Sequence, residues 1–357
     1  MGFRALFIGV IVGSLWVLSP EAEISGAAQG VLQTPVESGA LIGVSAAISK
    51  DGDILWEGGA GYRDRDAQLP ADANMVHRIA SITKSMTAVA VMQLVEEHRI
   101  DLDTSLQTYI PDFPKSDKGT IQIRHLLTHT SGIRHYRGKE NRPFTHYASL
   151  DDAIKLFQDR TLAAVPGERY VYTTYGYTTL GVVIERASGK SYGDYMSDHI
   201  WKPAGMIHTA IEIHGQSGPN RSKLYRRNRE GALEDDDLTD LSIKIPGGGL
   251  VSTAGDLVRF ANAFEEDRLV SAETRSQMFV VPQIEKRRLP YASGWMVWES
   301  ETYGDYYHND GGQAGTSTYL AVFPEHRIAV AVIGNVARAG GDVQAAALGL
   351  VDLVLNE

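Results

Sequence analysis

Cysteine is absent from the 357 residues. With it go disulfides, thiolate nucleophiles, lipid-bearing cysteine anchors and cysteine-based zinc or iron–sulfur centres. Any side-chain nucleophile is therefore oxygen or nitrogen. Basic charge is in deficit: 34 Lys and Arg face 44 Asp and Glu, a net of −10. Such a chain repels phosphate backbones, so nucleic acid is not an expected partner. Long apolar runs are scarce. The one near the start, Ala5 to Leu18, is about fourteen residues, short of the roughly 20 that span a bilayer, and no other segment could cross one. Glycine and proline, at 36 and 13 residues, are too few for a collagen-like or low-complexity chain.

What is present fits a globular protein, with 43% hydrophobic and 22% charged residues. At roughly 100–200 residues per domain, the length allows one large domain or two modest ones. The order Met1-Gly2-Phe3-Arg4, apolar run, then small residues at Ser25-Gly26-Ala27-Ala28 reads as a secretory signal over residues 1–28. The mature chain, 29–357, is then expected as a single domain exported to the periplasm or the medium, with an uncleaved anchor as the alternative.

Small and β-branched residues from Leu41 to Ser49, the pair Asp51-Gly52, and Ile54-Leu55-Trp56 predict a β-hairpin. From Ser81 to Glu97 the residues Met86, Val89, Ala90, Met92, Leu94 and Val95 cover nearly every face of a helix, which predicts a buried one. Further helices are expected at Leu150–Gln158, at Tyr177–Ala187, at Leu257–Phe264 behind a Ser or Thr cap, and at Asp342–Leu355. A tight turn is expected at Gly247-Gly248-Gly249, and strands at Ser317–Phe323 and Arg327–Asn335. The fold class is α/β in the α+β sense: one antiparallel sheet built from both ends of the chain, about 41–80 and 290–357, with a mainly helical region about 81–289 inserted. The runs Arg226–Arg229 and Glu234–Asp237, opposite in sign, read as a solvated loop, with a loop over the active site as the alternative.

Ser81 and Lys84 stand three apart at the head of the buried helix, which places them on one face about 5–6 Å apart at Cβ. Serine needs a base, and a lysine desolvated near other cations loses enough proton affinity to serve. The free N–H groups of a helix start suit an oxyanion. His125 and His129 have the spacing of a helical zinc pair with His135 nearby, but the glutamate of H-E-x-x-H is missing and no metal is assigned. Tyr136, Tyr175 and Tyr303 read as packing residues, with the cleft rim as the alternative.

The segment Arg78 to Ala88, the pair Leu102-Asp103 and the block His125 to Gly132 together resemble the serine β-lactamase and penicillin-binding protein family. The resemblance is to its class C-like branch, and Ile133-Arg134-His135-Tyr136 resembles the mitochondrial serine β-lactamase-like subgroup. It implies a β-lactamase/DD-peptidase-like fold with the nucleophile Ser81 between an antiparallel sheet and a helical region. It also places Tyr172 on the tyrosine of the family's Y-x-N element. There a phenol exchanges protons with serine and lysine and helps activate the deacylating water, with the lysine favouring the phenolate. Thr174 replaces the asparagine of that element, which removes an amide and bears on substrate choice rather than on catalysis. The third element, K-T-G or H-x-G, falls near His308-Asn309-Asp310-Gly311-Gly312. Ungapped counting puts Asn309 on its basic position, and one inserted residue puts His308 there; a local bulge presenting His308 is the favoured reading. Gly311 and Gly312 let substrate approach the strand, and the Gly312 N–H is the candidate second oxyanion donor beside that of Ser81.

Together these features point to an exported serine hydrolase that forms an acyl-enzyme on amide or ester bonds of a small-molecule or peptide substrate. A peptidase or esterase is favoured over an efficient β-lactamase, and no cofactor is required. Two alternatives stay open: a catalytically weak binding or self-assembling protein of the same fold, homo-oligomeric, and a penicillin-binding receptor that deacylates slowly.

Overall fold

The structure, a computed structural model, describes residues 20–141, 143–284, 287–288 and 291–356. The expected hairpin is strand β1 (Gly43–Lys50) followed by β2 (Asp53–Asp64). Asp51 and Gly52 both take positive φ, 55° and 91°, the conformation that favours Asp-Gly in a two-residue turn. A short β3 (Leu69–Pro70) lies beside β2. The C-terminal part supplies β4 (Met296–Ser300), β5 (Gly304–Gln313), β6 (Thr316–Phe323) and β7 (Ile328–Gly334). All seven join one antiparallel sheet in the order β4-β5-β6-β7-β1-β2-β3. The two ends of the chain meet at its centre, where Val44 pairs with Gly334 and Lys50 with Ile328.

The helices that position the site are, in chain order, α1 (Pro20–Glu37), α2 (Thr83–Glu96), α3 (Ile123–Leu127), α4 (Leu150–Ile154), α5 (Thr174–Ser188), α6 (Ile245–Gly248), α7 (Ala254–Glu265) and α8 (Gly340–Leu355). Strand alternation sorts the sheet's side chains between two cores. Val44, Ala46, Ile48, Tyr319, Ala321, Val330 and Val332 pack with Ala28 and Leu32 of α1 and Val343, Ala347 and Leu350 of α8. Ala47, Leu320, Val322, Ala331 and Ile333 face the larger core with α2, α5 and α7. Both faces of the sheet are covered, which is why β1, β6 and β7 are apolar without alternation.

Ile24, Ala28 and Leu32, four apart, form the buried stripe of α1. The stretch 25–28, expected beside a signal cleavage site, lies inside this helix, and residues 1–19 lie outside the described residues. Local boundaries differ from expectation where capping decides them. Thr173 accepts the Gly176 N–H at 3.3 Å, so α5 starts three residues before Tyr177. Thr253 caps α7 through the Asp256 N–H at 3.2 Å. The helix expected to Gln158 stops at Ile154. The glycine run is not a bare turn: Ile245 and Pro246 begin the single helical turn α6, which takes in Gly247 and Gly248. The two charge runs pair with each other, Arg226 opposite Glu234 in a small hairpin with Nε to carboxylate at 3.0 Å.

Candidate active site

The approach to Ser81 is built first. His77-Arg78 pairs antiparallel with Val251-Ser252, and Arg78 is fully buried. Its guanidinium holds Glu212 through Nε at 3.0 and 2.9 Å, and Thr239 through Oγ1 at 3.1 Å and the carbonyl at 2.8 Å. Arg221 takes the other side of Glu212. Burial and the neighbouring Arg221 hold the His77 imidazole neutral, its pKa down to about 3. The chain then turns sharply: Ala80 has φ 46°, a left-handed conformation that costs a non-glycine residue about 1–2 kcal/mol. The 3₁₀ turn Ala80–Ile82 follows and runs into α2. A strained residue directly before the candidate nucleophile, anchored by a buried ion pair, is a positioning device.

Ser81 Oγ lies 2.9 Å from Lys84 Nζ and 2.8 Å from the Tyr172 hydroxyl. Lys84, fully buried, also donates to the Gly247 carbonyl at 2.6 Å, and its ammonium position is 5.0 Å from the Tyr172 ring centre. Desolvation drives the Lys84 pKa well below that of an ordinary lysine; Lys244 adds to the fall and Asp310 opposes it. The site therefore favours the free amine. Burial raises the Tyr172 phenol well above an ordinary tyrosine, against the hydrogen bond from Ser81. The phenolate expected there is thus disfavoured, because the loss of water around the ring is the largest influence on it.

Lys244 is the main residue sequence reasoning missed. It is 2% exposed, stands 5.0 Å over the Tyr136 ring and has a pKa lowered to about 7, by desolvation first and by Arg78 second. Its one signal was a lone lysine in the apolar stretch Leu241 to Ile245. Of the three tyrosines weighed for the rim, only Tyr136 is here. Tyr175 is buried and stacked on Phe157 at 4.2 Å, and Tyr303 donates to Asp352 of α8 at 2.9 Å on the other side of the sheet.

Each of the three histidines near α3 uses Nδ1 to accept a backbone N–H: His125 from Gln122 at 3.2 Å, His129 from Thr173 at 3.2 Å and His135 from Thr174 at 3.1 Å. The last two bonds fasten the segment carrying Tyr172 and Thr174. His129, at φ 58° beyond the end of α3, is packed among the rings of Tyr170, Tyr172, Tyr177 and Tyr291, and desolvation keeps it neutral. Thr174 is buried beside Gly247 rather than against Ser81: a Cβ at Gly247 would come within 2.6 Å of its methyl.

The third element is settled by strand register. β5 pairs with β6 without a break from Tyr307↔Val322 to Gln313↔Thr316, so there is no bulge at His308. His308 stacks on Tyr319 at 5.1 Å, on the α8 side of the sheet and away from α2, which corrects the expectation that it enters the site. Asn309 takes the α2 side but reaches Ser85 Oγ and the Gly294 carbonyl, both at 3.0 Å, not Ser81. No cation therefore comes from this position. Gly311 is required by close approach, since a Cβ there would sit 2.8 Å from the Ile79 carbonyl and 3.0 Å from Ala80 Cβ. Gly312 is exposed with open space beside it, and Gln313 ties β5 to the Gly248 carbonyl at 3.1 Å.

A serine, an amine and a phenol converging at a helix start, between an antiparallel sheet and a helical region, define a serine hydrolase fold with its candidate nucleophile at the junction. The chain belongs to the Beta-lactamase family, which it matches over residues 28–354. It is 30% identical to the human mitochondrial serine beta-lactamase-like protein LACTB, over 79% of this chain and 69% of that one. Among solved structures, it is similar to the octameric penicillin-binding protein homologue from Pyrococcus abyssi, at 26% identity with a TM-score of 0.81, over 93% of this chain and 77% of that one. It is also similar to a D-stereospecific amidohydrolase from Streptomyces, at 26% identity with a TM-score of 0.77, over 90% and 98%.

Proposed function

We propose that the protein is an exported hydrolase that cleaves amide or ester bonds through an acyl-enzyme on Ser81. The observation that carries this reading is the convergence of Lys84 Nζ and the Tyr172 hydroxyl on Ser81 Oγ, at 2.9 and 2.8 Å. In the acylation step Ser81 Oγ bonds to the carbonyl carbon and its proton passes to the free amine of Lys84. The oxyanion faces the backbone N–H groups of Ser81 and Gly312. The protonated phenol of Tyr172 gives its hydrogen to the departing amine or alcohol and regains one from Lys84, and the carbon–heteroatom bond breaks. Water then releases the acyl group by the reverse proton route.

A peptidase or esterase fits better than an efficient β-lactamase. Thr174 offers no amide to a substrate carbonyl, and Asn309 brings no cation. The similarity to an amidohydrolase and to a penicillin-binding protein homologue supports acyl transfer, and the octameric state of the latter supports self-association. Export rests on the order of residues 1–28.

Intact-mass spectrometry after exposure to a fluorophosphonate, and separately to a penicillin, tests the reading. One fluorophosphonate adduct on the wild type, absent from a folded Ser81→Ala variant, is expected. Equal labelling of Ser81→Ala, or none on folded wild type, would overturn it. A penicillin adduct lasting hours would instead mark a receptor that stalls before deacylation.

A further inference from the structure

Lys84 stands in the first turn of α2, where the free N–H groups of the helix disfavour a positive charge. On accepting the Ser81 proton it becomes an ammonium shut away from water, and a buried charge is costly unless it is partnered. No carboxylate makes an ion pair with it among the described residues. Lys244, directly before α6, repels the charge, and Asp310 on β5 attracts it without pairing with it. His129 and His135, beyond α3, are kept neutral by desolvation. The close partners of Nζ are the Gly247 carbonyl at 2.6 Å, Ser81 Oγ at 2.9 Å and two aromatic faces, Tyr172 at 5.0 Å and Tyr177 at 5.8 Å from the ring centres. Such faces attract a cation at this range, most strongly where water is absent. The phenol of Tyr172 also touches Ser81, whereas that of Tyr177, fully buried in α5, donates to the Leu127 carbonyl at the end of α3, at 2.8 Å. The His129 ring packs on both, at 4.3 Å from Tyr172 and 5.2 Å from Tyr177.

Resting on the acyl-transfer reading above, we propose that Tyr177 is a positioning residue whose ring face, with that of Tyr172, holds the ammonium that Lys84 becomes when it takes the serine proton. A rival account is that Tyr177 only fills the core between Leu127 and His129. The two differ in what they ask of the ring: filling needs its volume, whereas holding a cation needs the electron density of its face.

Fluorine withdraws that density and hardly changes the volume. The test therefore compares Tyr177→Phe with its monofluoro and trifluoro counterparts in the full chain, following the rate of fluorophosphonate labelling against pH. In each, Ser81 Oγ bonds to phosphorus, fluoride leaves and the serine proton passes to Lys84. A ring that stabilises the ammonium raises the Lys84 pKa, so fluorination should lower it. The acid limb should move to lower pH in steps, by about half to one pH unit between Tyr177→Phe and the trifluoro ring, and the plateau rate should fall as the amine becomes a weaker base. Urea midpoints across the series identify the folded members, and the single-fluorine step is enough to read the direction. A limb that stays in place or moves upward in folded proteins would overturn the proposal while leaving the nucleophile in place. Labelling that survives in Ser81→Ala would remove the acyl-transfer reading and this one together.

Discussion

Replacing Glu212 by Gln is the sharpest test of how the candidate nucleophile, Ser81, is held. Glu212 is 4% exposed at its side chain and receives both Arg78, fully buried, and Arg221. The amide keeps the shape but removes the negative charge that both guanidinium groups share, so fully buried Arg78 and largely buried Arg221 are left facing one another without it. Breaking a buried pair in this way costs about 3–5 kcal/mol, a large share of the roughly 5–15 kcal/mol that holds a folded domain together. Urea unfolding followed by tryptophan fluorescence gives the figure directly, and Glu234→Gln, which breaks the surface pair with Arg226, should shift stability by less than about 1 kcal/mol. Because Arg78 leads into Ala80 and Ser81, the fluorophosphonate labelling rate of the still-folded variant should also fall. A loss below about 1 kcal/mol for Glu212→Gln would show that the pair does not anchor the turn.

Two pH-dependent outcomes follow. Lys244→Met removes a like charge beside Lys84, so Lys84 should hold its proton to higher pH and the acid limb of the labelling rate should move upward, most clearly below about pH 7, where Lys244 is itself charged; an unmoved limb would refute the coupling. Stability should fall on acidification below pH 6.5, because His77 and His135, with pKa values of about 3 and about 4 in the fold, bind protons more readily once unfolded. Each contributes up to about 1.4 kcal/mol per pH unit until its folded pKa is reached. Urea midpoints at pH 7, 6, 5 and 4 would show this, and a flat series would contradict it.

Legibility in the sequence followed the range of the interactions involved. The Asp51-Gly52 turn and the all-round apolar α2 are set by neighbours a few residues apart, and local pattern was enough to see them. The meeting of Ser81 with Lys84 is one helical turn, equally local, and Tyr172 came with the block around it. His308 and Asn309 could not be separated from the sequence, because which one faces α2 depends on pairing with Leu320 and Ala321 across the sheet. Lys244 escaped notice for a related reason: the Tyr136 ring beneath it and the Arg78 charge that acts on it are both distant in sequence. The positive φ of Ala80 had no compositional sign at all, since alanine does not advertise that conformation.

The pairing of β1 with β7 has a consequence for how the protein comes into being. Central strand and closing strand are nearly three hundred positions apart on the chain, and a ribosome or a secretion channel delivers them in that order. Until the last strands arrive, β1 lacks one neighbour, β5 cannot brace Ala80, and the serine has no finished cleft around it. Non-local sheets of this kind close slowly and late. On the proposed acyl-transfer reading the growing chain is therefore chemically silent, and an N-terminal fragment lacking β5 to β7 is expected to be inert even though it carries Ser81, Lys84 and Tyr172.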